Sequence, residues 1–177
     1  IVWGACFMGK GVRRAKTRRQ HVSAAQLQGE IKMLNAQLGP LGLKVRDVQG
    51  DGNCLFRAAS DQMYETSCRH SQIRQEVMQY IKDFPDDFAP FVEDDEPFED
   101  YVARMQEDGE WGGNIEIQAM SVLYHADFVI HVYDGPRLEV RNPGATAVWH
   151  ICYLSGEHYG SVRAVDRDKQ EDDEPFE

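Results

Sequence analysis

The 177-residue chain has no apolar run near the roughly 20 residues that a membrane-spanning helix needs, so no helical span is expected. Its apolar start, residues 1–8, precedes the first basic side chains, the reverse of a secretory signal. The chain also begins at Ile1 rather than Met, as a fragment or a processed chain would. Cysteine is scarce: Cys6, Cys54, Cys68 and Cys152 show no Cys-x-x-Cys spacing and sit in no metal-ligand cluster. That pattern argues against a disulfide framework and a zinc site, and the expectation is reduced thiols in a cytosolic or nuclear protein with no metal and no cofactor. Acids are missing from residues 1–25, where Lys10, Arg13, Arg14, Lys16, Arg18 and Arg19 stand without interleaved aromatics. Such a segment reads as a disordered basic tail, and nucleic-acid binding is not expected from it.

Elsewhere the balance is acidic, with 30 acids against 19 bases and a net charge of -11. Residues 83–110 hold twelve acids against Arg104 alone, so that stretch is either a solvated face or one that attracts a basic partner. A 42% hydrophobic composition suits one domain with a substantial core. The heptad EDDEPFE occurs at residues 93–99 and again at 171–177, in the acidic tail 166–177, a duplication with no physical account.

The run GDGNCLFRA, residues 50–58, places Cys54 where a glycine-framed loop becomes a helix. Gly50 and Gly52 would allow successive N–H groups, including those of Asn53 and Cys54, to converge on an oxyanion in front of the sulfur. Lowering a thiol pKa from about 8.5 to about 6 takes roughly 3.4 kcal/mol. A helix terminus supplies only about 0.3–1 kcal/mol, or about 2 in favourable burial. A Cys54 nucleophile therefore calls for a histidine distant in sequence and adjacent in space. His158, in EHYGSVR after a strand-like run and a Ser155-Gly156 turn, would open a strand at a sheet edge. His131 and His150 alternate inside strands, and His21, His70 and His125 suit surface or cap positions.

GDGNCLFRA, WGGNIEIQA at residues 111–119 and the terminal EHYGSVR, in that order, resemble the ovarian tumour (OTU) family of cysteine deubiquitinases. The resemblance runs over residues 41–165. It implies hydrolysis of the isopeptide bond between the C-terminal glycine of ubiquitin and a lysine, through an acyl-enzyme on Cys54. His158 would be the base and acid, Asp51 the support of the loop and oxyanion hole, and the N–H of Cys54 a donor. Trp111, Gly112, Gly113 and Asn114 resemble the loop lining the family's site, with Tyr159 beside it; Asn114 could equally cap the following helix. The partner implied is ubiquitin or polyubiquitin, bound by a monomer.

One position departs from the pattern. Family members often carry Asp or Asn two residues after the histidine, and here stands Gly160, which has no side chain to orient the ring. The expectation is a slower enzyme, or a ring held by Asp51, another polar side chain or water, with Gly160→Asp raising the rate. The alternatives are a non-catalytic ubiquitin-binding adaptor and a cysteine protease acting on a ubiquitin-like modifier.

Periodicity predicts helices over 26–38, 71–84, 98–105 and 114–125, and strands over 43–48, 128–133, 137–141, 147–154 and 161–165. Helices gather early and strands late, which predicts an α+β fold with a small mixed sheet between helical layers. Residues 26–40 would form a lead-in helix, packed beside the 41–165 domain or simply preceding it.

Overall fold

The computed structural model describes residues 23–93 and 95–165. The expectations for residues 1–22, with Cys6 and His21, and for the tail 166–177 with its heptad lie outside the described residues.

Among the described residues six α-helices and five strands make an α+β arrangement, with helices mostly early and strands mostly late: α1 Ala24–Leu38, β1 Leu43–Arg46, α2 Cys54–Tyr64, α3 His70–Asp83, α4 Pro85–Phe88, α5 Phe98–Met105, α6 Asn114–Leu123, β2 Ala126–Val132, β3 Leu138–Val140, β4 Ala147–Leu154 and β5 His158–Ala164. The strands form one mixed sheet in the order β1-β5-β4-β2-β3, with β2 and β4 parallel and every other pair antiparallel. His158 opens β5, as the sequence frame predicts, but β5 is an inner strand rather than an edge. Its first residues are nonetheless open on one side, because four-residue β1 pairs only with residues 161–164.

The alternation of β4 explains the two cores. Trp149 and Ile151 point to one face, where they join Phe128 of β2 and the inward residues of α2, α3, α5 and α6. Cys152 and Leu154 point to the other, where Ile31, Leu34 and Leu38 of α1 close over them with Val45 and Val162. The stripe at 31, 34 and 38 is the one that the helical period predicts, and each such side chain contributes about 1.5–3 kcal/mol on full burial. Thus α1 is a layer over the sheet, not a detached lead-in. Ser23 caps it, its Oγ accepting from the Gln26 N–H at 3.2 Å.

Helix α2 is the centre of the larger core and is buried almost all round, with Ala58 and Ala59 allowing close approach. Its one buried acid, Asp61, is paired with Arg163 of β5 at 2.6 Å and with Arg46 of β1 at 3.2 Å. Those pairs fix the helix that begins at Cys54 against the two strands nearest His158.

Candidate active site

Cys54 is the first residue of α2 and is buried, with 6% of its surface accessible. Of the two framing glycines only Gly52 needs to be glycine for conformation, with φ +87. A Cβ there would also lie 1.9 Å from the Gly109 carbonyl oxygen, so the loop before Cys54 and the 106–110 segment touch through backbone. Gly50 is outside the left-handed region, and a Cβ on it would meet only the His158 ring, at 3.7 Å; the expectation that it too requires a special backbone angle is corrected.

Asn53 also departs from the oxyanion reading. Its N–H is spent on Asp51 Oδ1 at 3.0 Å, which leaves the Cys54 N–H, one of the unpaired donors of a first helical turn, as the donor beside the sulfur. The Asn53 side chain points away, its Oδ1 accepting from Gly109 N at 3.1 Å and from Arg74 Nη2 at 2.8 Å. Arg74 of α3 is the hub of this side. It is 2% exposed, lies 4.1 Å over the Phe56 ring, and donates to the Met105 carbonyl at 2.9 Å and the Glu110 carbonyl at 2.6 Å. Burial pushes its pKa down, and the acids Asp108, Glu116, Glu110 and Asp51 oppose that.

Asp51 does not reach the histidine. Its carboxylate takes a two-pronged bond from Arg57, with Nη2 at 2.6 Å and Nε at 3.1 Å. Burial raises its pKa, but the bonds from Arg57 and Asn53 outweigh it and hold the carboxyl well below the usual range.

The ring of His158 is held by Asp47. Nε2–H donates to Asp47 Oδ1 at 2.9 Å, and the same oxygen accepts from Val48 N at 2.9 Å, which fixes the carboxylate. The other ring nitrogen is left for the Cys54 sulfur, which lies close enough to the imidazole to raise its pKa. Burial lowers the His158 pKa, yet the Asp47 bond and the neighbouring Cys54 raise it from 6.5 to about 9. The ring is therefore a cation at neutral pH.

A carboxylate able to orient the ring is thus present, one residue past the end of β1. Continuing the β1–β5 register one step past Arg46 and Ser161 places Asp47 opposite Gly160. A Cβ on Gly160 would lie 2.9 Å from Cys152 Sγ and 3.5 Å from the Arg46 carbonyl, so the bare glycine gives the end of β1 room to bring its carboxylate to the ring. The Gly160→Asp gain expected from sequence is withdrawn on this ground.

The family model described as OTU-like cysteine protease matches residues 49–159. The chain belongs to the OTU family. Over 159 residues it is 41% identical to the OVARIAN TUMOR DOMAIN-containing deubiquitinating enzyme 7 of Arabidopsis thaliana, a match covering 85% of this chain and 42% of that protein. The chain thus spans about two fifths of the length of this relative. Its fold superposes on the OTU domain of OTUD1 with a TM-score of 0.71 at 24% identity, covering 78% of this chain and 97% of the other. An Ovarian Tumor (OTU) domain solved in complex with ubiquitin matches with a TM-score of 0.60 at 24% identity, over 68% of this chain and 69% of the other.

In this OTU domain the segment 111–114 lies against α2 directly beyond Cys54: a Cβ on Gly112 would meet Leu55 Cδ2 at 2.8 Å and the Phe56 ring at 3.1 Å. Trp111 is half-buried. Asn114 is not the cap of α6. Gly113 holds that position, its N–H bonded to Glu116 Oε2 at 2.6 Å, while Asn114 is exposed. Glu116 is itself buried and accepts from the Tyr101 hydroxyl. Tyr159 lies tilted against Tyr153 with ring centres 4.7 Å apart; burial raises its pKa, with Tyr153, Cys54 and Glu116 adding to that. His131 and His150 pair with each other at 3.0 Å, away from Cys54, and burial lowers His131 to about 4. Among the described residues no His, Cys, Asp or Glu cluster could hold a metal ion.

Asp47 and Arg74 escape sequence reasoning. Asp47 is one acid among 30, and its only sequence signal is its place at the end of the strand preceding the glycine loop. Arg74 falls at a helix position that helical periodicity assigns no role, and its partners are backbone carbonyls that no motif reports.

Proposed function

We propose that this OTU domain is a thiol-dependent deubiquitinase, cleaving the bond between the ubiquitin C-terminal glycine and an amine. The observation that carries this reading is the Asp47–His158–Cys54 arrangement, with the ring bonded to a carboxylate on one nitrogen and lying beside the sulfur of Cys54. The Asp47 bond weighs against a non-catalytic adaptor, whose ground was that Gly160 left the ring without an orienting group. Family membership and the ubiquitin complex of a related fold support the choice of substrate.

The Cys54 sulfur attacks the glycine carbonyl carbon, and the developing oxyanion takes the Cys54 N–H. His158 gives its proton to the leaving nitrogen as the C–N bond breaks, leaving a thioester. Water then adds to the thioester, His158 takes one of its protons, and the C–S bond breaks to release the thiolate and the carboxylic acid, which gives its remaining proton to solvent. Asp47 keeps the ring in one orientation throughout and stabilises its charged form. Asp51 acts on the loop through Asn53 and Arg57, away from the reacting atoms, so it is a positioning residue. Residues 111–114 and Tyr159, beside Cys54, are assigned to the extended path of the ubiquitin tail, where its terminal glycines permit close approach.

The test is a panel of differently linked diubiquitins together with a ubiquitin probe carrying an electrophilic C-terminus. Cleavage and covalent labelling by the wild-type chain, both lost in Cys54→Ala with unchanged circular dichroism, are expected. Failure of the wild-type chain to label or cleave overturns the reading.

A further inference from the structure

Two side chains of α1 reach segments that carry the catalytic histidine and its orienting acid. Asn35 Oδ1 accepts from Val45 N at 2.8 Å, two residues before Asp47. Glu30 Oε2 accepts from Ser155 N at 2.6 Å, three residues before His158. Ser155 is in the left-handed region at φ 51, and with Gly156 at φ 72 it forms the tight turn closed by Glu157 N to the Leu154 carbonyl at 3.1 Å. A residue with a Cβ is disfavoured there, so the bond from its N–H to Glu30 stabilises a conformation that the turn alone would hold weakly. Along the same helix, Ile31, Leu34 and Leu38 join Val45, Leu154 and Val162 in one apolar cluster. The helix therefore grips β1 and the β4–β5 turn as one unit. Both gripped segments meet at the Asp47–His158 bond, and α1 and Asp47 lie before the first residue of the 49–159 family match.

We propose that α1 is a positioning element of the active site, and that Glu30 and Asn35 hold the turn and the strand at the spacing that lets Asp47 orient His158. The roles of Asp47 and His158 in this inference rest on the deubiquitinase reading, but the contact itself does not. The ionisable groups facing the ring are Asp47 from the end of β1 and Cys54 from α2, and Glu30 acts only through Ser155. Loosening the turn lengthens the Asp47 bond and lowers the ring's affinity for its proton.

Two readouts separate this role from mere packing. Nuclear magnetic resonance titration of His158 in the full chain reports the contact without any substrate, and diubiquitin cleavage gives kcat and KM. Glu30→Ala, which removes a half-buried side chain, and the double variant Glu30→Ala/Asn35→Ala are expected to lower the His158 pKa by about one unit or more. The double variant should lower kcat by about tenfold, the size of one lost hydrogen bond, with KM unchanged. Glu30→Gln and Asn35→Asp keep an acceptor oxygen at each site and should restore both readouts. An unchanged His158 titration in folded Glu30→Ala overturns the proposal, as does an equal loss in the acceptor-keeping variants. A shifted titration in a chain that cleaves nothing would retain the α1 contact and reject the deubiquitinase reading instead.

Discussion

Around Cys54 the chain is tied down by a buried guanidinium, whereas around His158 it is tied by strand register and one carboxylate whose side chain is 37% exposed. The Arg74 side is buried, and Asn53, Met105 and Glu110 all direct oxygens at the same cation. The Asp47 side is bordered by solvent, and its strength follows the charge on the ring. Damage to the first region should therefore appear as lost folding, and damage to the second as altered chemistry in a folded protein.

Arg74→Met breaks this contrast most severely. Removing the cation strands several buried acceptors, and urea unfolding should show a loss of about 3–5 kcal/mol. A loss below about 1 kcal/mol, within the range of ordinary surface changes, would mean that the nucleophile loop is held by something else.

Gly160→Asp probes the boundary between the two regions. The new side chain meets Cys152 Sγ and the Arg46 carbonyl, so overpacking should cost about 1–3 kcal/mol of stability, with no gain in cleavage rate. Faster cleavage would mean that Asp47 orients the ring poorly.

Asp47→Asn should leave the chain folded but less stable at pH 6, where the ring is charged, and reduce kcat/KM by about ten- to a hundredfold, the worth of one charge-assisted hydrogen bond. The pH dependence sharpens the same point. Cleavage needs the proton on His158, so the alkaline limb of kcat/KM is expected near 9 and should move down in Asp47→Asn. Because the folded pKa is raised, the ring's contribution to stability is full below about 6.5 and is lost as pH rises through about 9. Thermal melts from pH 6 to 10 should show a steeper fall for wild type than for Asp47→Asn; parallel curves would remove Asp47 from the account.

The smallest effect belongs to a pair outside both regions. Arg104 and Glu96 meet at 2.7 Å on the acidic face, and Glu96→Gln should change stability by about 0–1 kcal/mol, with salt erasing the difference.

The sequence by itself determined most of the elements and the candidate nucleophile. The α1 stripe, the β4 alternation and the strand-turn-strand frame of His158 follow from periods of 3.6 and 2, which are local properties of the chain. The Cys54 loop was legible because its glycines and cysteine adjoin in sequence, although only Gly52 proved to need its backbone freedom. Only the tertiary structure decided which group orients the ring. Asp47 and Gly160 are 113 positions apart, and the exchange of a carboxylate from β5 to the end of β1 exists only once those strands lie side by side. Arg74 and the α1 contacts belong to the same class, since backbone carbonyls and N–H groups are the same at every position and carry no signature until packing selects among them.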